Sequence, residues 1–326
     1  MASARRIDLH FHLIPKFYQD AAYEAGAGPA IGRYPEWSPE LALEVMDAHG
    51  IELALASLAQ PGVQFGDPGS AHALARRCND YAAELAARWP KRFGGLAAVP
   101  MWDVRRAVDE IGHALDRLKL QGVCLFASYG EKFLGDPQFD PVLEALDARG
   151  AVVFVHPALH PSSRKLDLPW PGFMMEYLFD TTRAAVNLVF GGAIVRFPRI
   201  RFVLAHAGAL VPYFAWRLSV SPMIDARLPQ VPRAEVFARL RRFWYDIALS
   251  PSAETIACLG AVAAPDRIVF GSDWPFANTR VIAQALTTYE TSVPITPQTR
   301  RAIDRGNALA LLAPALAGQG SAEVPI

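Results

Sequence analysis

Ile7-Asp8-Leu9-His10-Phe11-His12 is the stretch on which the fold reading turns. The two-residue period of a strand sends Asp8, His10 and His12 to one side and Ile7, Leu9 and Phe11 to the other. Apolar residues on one face and three ionisable ones on the opposite face suit a barrel wall, with Ile7, Leu9 and Phe11 packed under a helix layer and the polar face turned inward. Two imidazoles then converge near the strand's C-terminal end, where one metal ion can bridge them. Two core histidines satisfied by hydrogen bonds would read the same way, so the pair needs support from elsewhere in the chain.

Outward from this stretch, seven more short aliphatic runs each precede a longer segment of helical period, which argues for parallel strands joined by crossover helices. They are Leu53 to Ser57, Phe93 to Val99, Gly122 to Phe126, Val152 to His156, Arg201 to His206, Trp244 to Leu249 and Arg267 to Asp273. Eight strands predict an α/β fold of the (β/α)8 TIM-barrel kind. Ser38, Asp103, Ser252 and Thr296 offer helix N-caps, with proline following Ser38 and Thr296. Gly50, Gly150 and Pro198 stop helical patterns before the next strand. Two connections are long, Leu13 to Trp37 after strand 1 and Pro157 to Gly172 after strand 5. Strand-to-helix loops all emerge at the catalytic face, so insertions there are expected to cover a pocket. With no internal repeat and no linker rich in glycine or serine, a single domain over 1–326 is expected, the barrel reading itself reaching to about Pro314.

Three further polar residues end apolar runs: His156 after Val152-Val153-Phe154-Val155, His206 after Phe202-Val203-Leu204-Ala205, and Asp273 after Ile268-Val269-Phe270-Gly271-Ser272. All three face the same rim as His10 and His12. Imidazoles with one carboxylate make a nitrogen and oxygen donor set suited to zinc, with manganese or iron as substitutes.

Composition narrows the partners. Lysine plus arginine and aspartate plus glutamate number 32 each, so no basic field draws in nucleic acid or an anionic membrane. The three cysteines are far apart and odd in number, which fits reduced thiols in a cytoplasmic protein. No signal-peptide core follows Met1, and the apolar stretch Ala308 to Leu316 is too short, and interrupted by Pro314, to span a bilayer.

These motifs resemble the amidohydrolase superfamily, and within it the metal-dependent decarboxylases related to aminocarboxymuconate semialdehyde decarboxylase. The matching stretches are Ile7 to His12, Trp37-Ser38-Pro39-Glu40 leading to Met46-Asp47, Val155-His156-Pro157, Leu204 to Gly208, and Phe270 to Asp273. Phe179-Asp180-Thr181-Thr182-Arg183 and the loop lengths look closest to the 6-methylsalicylate decarboxylase type.

The resemblance implies that His10, His12, His156 and Asp273 bind one divalent metal, Zn2+ with Mn2+ as the alternative, and that His206 and Asp273 act in catalysis. Binuclear relatives carry a lysine on the fourth strand, which Gly122-Val123-Cys124-Leu125-Phe126 lacks, so one ion is expected. Cys124 reads as core. The implied reaction is non-oxidative decarboxylation of a small aromatic or unsaturated carboxylic acid of the hydroxybenzoate or salicylate type. In it the metal clamps the substrate oxygens and Asp273 protonates the carbon that carries the carboxylate.

The same ligands permit a hydrolase that turns metal-bound water on a lactone, amide or ester, and a barrel without turnover is a third reading, against which the complete ligand set argues. Arg33, Trp37, Tyr129, Phe179 and Trp274 are candidate substrate contacts, and His160 and Arg164 lie on the long fifth loop. Asp8 either orients an imidazole from behind or serves the strand's own hydrogen bonds. A homodimer is expected from the resemblance.

Overall fold

The computed structural model describes residues 5–166 and 168–317, the side chains of residues 164 and 314–317 excepted. Eight parallel strands run in chain order around a barrel: β1 (Arg6–His12), β2 (Ile51–Ser57), β3 (Phe93–Ala98), β4 (Gly122–Phe126), β5 (Val152–His156), β6 (Arg201–Leu204), β7 (Trp244–Asp246) and β8 (Ile268–Val269). Beyond β8 the chain closes the ring on β1, with Leu9 N donating to Phe270 O (3.1 Å), Asp273 N to His10 O (2.8 Å) and His12 N to Trp274 O (2.7 Å). The surrounding helices start where their caps direct: the side chains of Ser38, Asp103, Ser252 and Thr296 each accept a backbone N–H of the first turn.

Two apolar layers share the strands. Outward residues such as Phe11, Val153, Val155, Leu204, Tyr245 and Phe270 pack under the helices. Inward residues, including Leu55, Leu96, Cys124, Phe154, Val203 and Val269, fill the barrel and meet Ala308, Leu311 and Leu312 of the C-terminal helix Asn307–Ala317, which plugs the floor.

Ile7 and Leu9 belong to this inner layer and not to the helix side, which corrects the strict two-residue reading of β1. The pairing of β1 with β2 shifts register between Asp8 and Phe11, and that bulge resets the phase of the strand. Leu9 on the floor side and His10 on the mouth side of the irregularity can therefore both face inward. Asp8 holds it in place, its Oδ1 accepting from His10 N (2.9 Å) and Ser272 N (3.1 Å).

Three strands are shorter than the apolar runs imply. A few residues past β6, β7 and β8 the chain enters left-handed backbone at His206 (φ 55°), Ala207 (φ 56°), Leu249 (φ 52°) and Asp273 (φ 64°), where it turns over the rim. The insertion after β1 carries the helix Lys16–Glu24, and that after β5 carries the short turns Pro161–Lys165 and Gly172–Met174. A third excursion, a small hairpin pairing Ser128–Tyr129 with Lys132–Phe133, rises after β4. No described helix is long and apolar enough to cross a membrane.

Candidate metal centre

His10 and His12 lie at the C-terminal end of β1, His156 ends β5, and Asp273 follows β8, so three strands deliver four side chains to one point at the mouth. One donor atom from each of the four lies within 4.8 Å of the others. His10 Nε2 and His12 Nε2 are 3.3 and 3.1 Å from Asp273 Oδ1. Donors that share one ion at roughly 2.0–2.2 Å lie about 3–3.5 Å apart, so these spacings suit a common cation.

The far side of each imidazole is spoken for. His10 Nδ1 donates to Asp246 Oδ2 (2.9 Å), His156 Nδ1 to Pro157 O (2.7 Å), and His12 Nδ1 faces Ser57 O at 3.2 Å. A proton fixed on Nδ1 leaves Nε2 with its lone pair, and that is the tautomer a metal requires. His10 Nε2 is buried without a hydrogen-bond partner, a cost that a cation at the centre removes.

Electrostatics point the same way. Burial opposes a charge on His10, but the carboxylates of Asp273 and Asp246 outweigh it and hold the imidazole up at about 10. His12 and His156 are pushed down, first by burial and then by the neighbouring imidazoles. Burial opposes ionisation of Asp273, but the charge on His10 and the close imidazoles of His10, His12 and His206 keep it well below the usual carboxylate range. The cluster thus favours a positive charge in its middle, and the residues present fit a divalent ion.

His206 stands beside the cluster, with Nε2 3.5 Å from Asp273 Oδ2, its ring 5.0 Å from that of His10, and Nδ1 lacking a partner. Asp246 sets this residue as well, accepting from His206 N (3.0 Å) and Ala248 N (2.8 Å). Asp246 is fully buried, and the sequence reading passed over it. Its signal was a carboxylate two positions after Trp244, on the inward face of a strand otherwise apolar. Asp8 serves the β1 bulge and not an imidazole; burial raises its carboxyl to about 7. Cys124 is core, its thiol raised by burial to about 12.

The expected aromatic contacts are mostly used elsewhere. Trp274 is buried and stacks on Phe11 (4.7 Å) in the outer layer, and Tyr129 takes Phe126 N on its hydroxyl (2.8 Å). Trp37 donates Nε1 to His12 O (3.0 Å), which braces the strand end. Phe179 is partly exposed beside Arg183, and Arg33 is exposed on the first insertion. His160 is buried, stacked on Phe133 with its ring 4.7 Å away, whereas the Arg164 side chain lies outside the described residues.

Three other rings wall the cluster. Phe276 lies 5.4 Å from His12, and Phe126 and Tyr177 lie 5.7 and 6.3 Å from His156. Tyr177 donates to Gln60 Oε1 (3.1 Å) from across the mouth, and burial together with the charges of Asp273 and Asp180 keeps it a neutral phenol. Phe126 takes its place only because residue 62 is glycine: a Cβ there would lie 2.3 Å from Phe126 Cε2. Periodicity does not flag such contacts, because they join a strand end, a helix and a loop that are far apart in the chain.

The family profile described as amidohydrolase matches residues 7–313. A 6-methylsalicylic acid decarboxylase of Penicillium expansum is 33% identical over 94% of this chain and 95% of its own. Decarboxylase yanB of Aspergillus niger is also 33% identical, over 94% of this chain and 87% of its own. Among solved structures, 5-carboxyvanillate decarboxylase from Sphingomonas paucimobilis superimposes with a TM-score of 0.84 at 26% identity, covering 95% of this chain and 99% of its own.

Proposed function

Because the chain belongs to the amidohydrolase family, we propose that it is a metal-dependent carboxy-lyase that removes carbon dioxide, without oxidation, from a small aromatic acid of the hydroxybenzoate type. The observation that carries this reading is the set of three imidazoles, each with Nδ1 held by an acceptor, gathered with Asp273 around one point. The named substrates of the 6-methylsalicylic acid and 5-carboxyvanillate relatives are aromatic acids with a hydroxyl beside a carboxylate, which supports the substrate class.

We take His10, His12, His156 and Asp273 as the residues that hold the ion, zinc by its nitrogen-rich donor set and manganese as the alternative. Bound there, a divalent cation supplies the positive charge that draws in the substrate's carboxylate and adjacent oxygen and fixes the ring. Phe126, Phe276 and Tyr177 offer apolar faces against which that ring can lie.

Asp273 enters as a carboxylate, so it has to gain the proton it delivers. The hydroxyl beside the substrate carboxylate supplies it. Asp273 takes that proton and returns it to the ring carbon bearing the carboxylate, which becomes tetrahedral. The carbon–carbon bond then breaks, its electron pair restores the aromatic ring, and carbon dioxide leaves with a phenolate that regains a proton from water. His206, beside Asp273 Oδ2, steadies the carboxylate through the transfer.

The same reading makes the protein a cytoplasmic homodimer. Free Cys78, Cys124 and Cys258 support the compartment, and exposed Tyr213, Trp216, Met223 and Ile224 on the helix Val211–Ile224 support a second copy as partner. The test is incubation of zinc- or manganese-loaded protein with a panel of salicylates in heavy water. Carbon dioxide and one deuterium at the vacated ring position are expected; cleavage of a lactone or amide with no gas from any salicylate would overturn the reading.

A further inference from the structure

Each imidazole of the centre is backed by a different acceptor. His10 has a carboxylate, His12 has the Ser57 carbonyl, and His156 has the carbonyl of its own neighbour, Pro157. A neutral carbonyl is the weaker partner, and this one sits on a chain with no strand to hold it. The other end of the same peptide is fastened. Ala158 N, the amide belonging to the Pro157 carbonyl, donates to Asp180 Oδ2 at 2.8 Å. Asp180 comes from the helix Glu176–Phe190 and is 1% exposed. Its carboxylate is locked in turn by the Ser128 hydroxyl, which lies 2.9 and 3.1 Å from the two oxygens.

One peptide plane therefore links an imidazole N–H to a buried carboxylate. An amide whose N–H is bonded to an anion carries more negative charge on its oxygen, so hydrogen bonds in such a chain reinforce one another. Burial raises the Asp180 carboxyl to about 6, with Ala158 N–H, Ser128, His160 and Arg183 pulling it back, which leaves it ionised in neutral solution.

We propose that Asp180 is a positioning residue for His156: acting through the Pro157–Ala158 peptide, it fixes the imidazole's tautomer and direction and so tightens the hold on the metal. This inference rests on the metal-centre reading above. It makes the arrangement at His156 a counterpart of the Asp246–His10 pair, with a backbone amide interposed.

The test is zinc affinity, read by competition with a chromophoric chelator, in wild type, Asp180→Asn, Asp180→Ala and His156→Ala, with melting temperatures of the metal-free proteins alongside. Asparagine can still accept from Ala158 N and meet Ser128, so Asp180→Asn tests the charge with the shape kept. Loss of the outer partner of a ligand typically weakens metal binding by roughly 10–100-fold. Asp180→Ala is expected to bind zinc roughly 10-fold more weakly and Asp180→Asn about 3-fold more weakly, since it keeps the hydrogen bond and loses only the charge. Wild-type affinity in both Asp180 variants, whatever their melting temperatures, overturns the proposal if His156→Ala has lost zinc. Should His156→Ala bind as wild type does, the metal-centre reading itself falls.

Discussion

The interior of the barrel has two storeys built from the same inward positions. On β5 Phe154 fills the lower level and His156, one strand period later, reaches the upper; on β7 the steps are Trp244 and Asp246. Below, Ile7, Leu9, Leu96, Cys124, Val152 and Val203 form a dry cluster closed by Leu311 and Leu312. Above, within one residue pair, the contents become imidazoles and carboxylates. Apolar burial at the floor stabilises by area and tolerates change of shape, whereas the mouth works only while every polar atom keeps its partner. Stability and chemistry are thus separable along the barrel axis, and substitutions at the two levels should have different signatures.

The largest effect is expected from removing a ligand. His156→Ala should lower kcat/KM by about three orders of magnitude, since a catalytic metal supplies several kcal/mol of transition-state stabilisation. Steady-state decarboxylation of a salicylate checks this. Dialysis against a chelator should do the same to the wild type, reversibly on return of zinc or manganese. At the floor, Leu311→Ala should cost about 2–5 kcal/mol of folding stability through the cavity it opens. Urea unfolding measures it, and zinc affinity should not move. Asp246→Asn comes next, with roughly 10–100-fold weaker zinc binding by chelator competition. Because Asp246 also holds His206 N and Ala248 N, kcat should fall even at saturating metal.

How far the two storeys were legible in the sequence follows from how each is encoded. Strand ends carrying His10, His12, His156, His206 and Asp273 stand out because an imidazole or carboxylate closing an apolar run is costly unless something uses it. That reasoning reached the barrel, its caps and the cluster. It misplaced Ile7 and Leu9, because a bulge stabilised by Asp8 changes the phase inside β1 and leaves no mark in an alternating pattern. It stretched β6, β7 and β8 because the run of strand-like residues continues past the last paired residue of each, into the left-handed backbone at His206, Leu249 and Asp273. Asp246 was visible but lay within an apolar run and ended none. The wall of Phe126, Phe276 and Tyr177, the Gln60 contact and the peptide link to Asp180 arise where segments distant in the chain meet in space, which local patterns do not record.

The smallest effect is the sharpest divider, because it reverses sign between the storeys. Burial raises the folded carboxyl of Asp180 to about 6 from its ordinary 3.8. The folded chain therefore binds this proton more tightly than the unfolded chain does, so stability rises as pH falls from above 6 toward 4 and the cost of the buried charge is fully present above about 6. Asp180→Asn abolishes that dependence. Metal-free Asp180→Asn should unfold at a higher urea concentration than wild type at pH 8, by on the order of 1 kcal/mol, with the gap closing as pH is lowered through 6 and absent below 4. A variant at the mouth would thus gain stability while loosening zinc, where Leu311→Ala at the floor loses stability and leaves zinc alone. If Asp180→Asn instead unfolds more easily at pH 8, the carboxylate is a structural strut, and the division of labour along the barrel axis fails at the helix Glu176–Phe190.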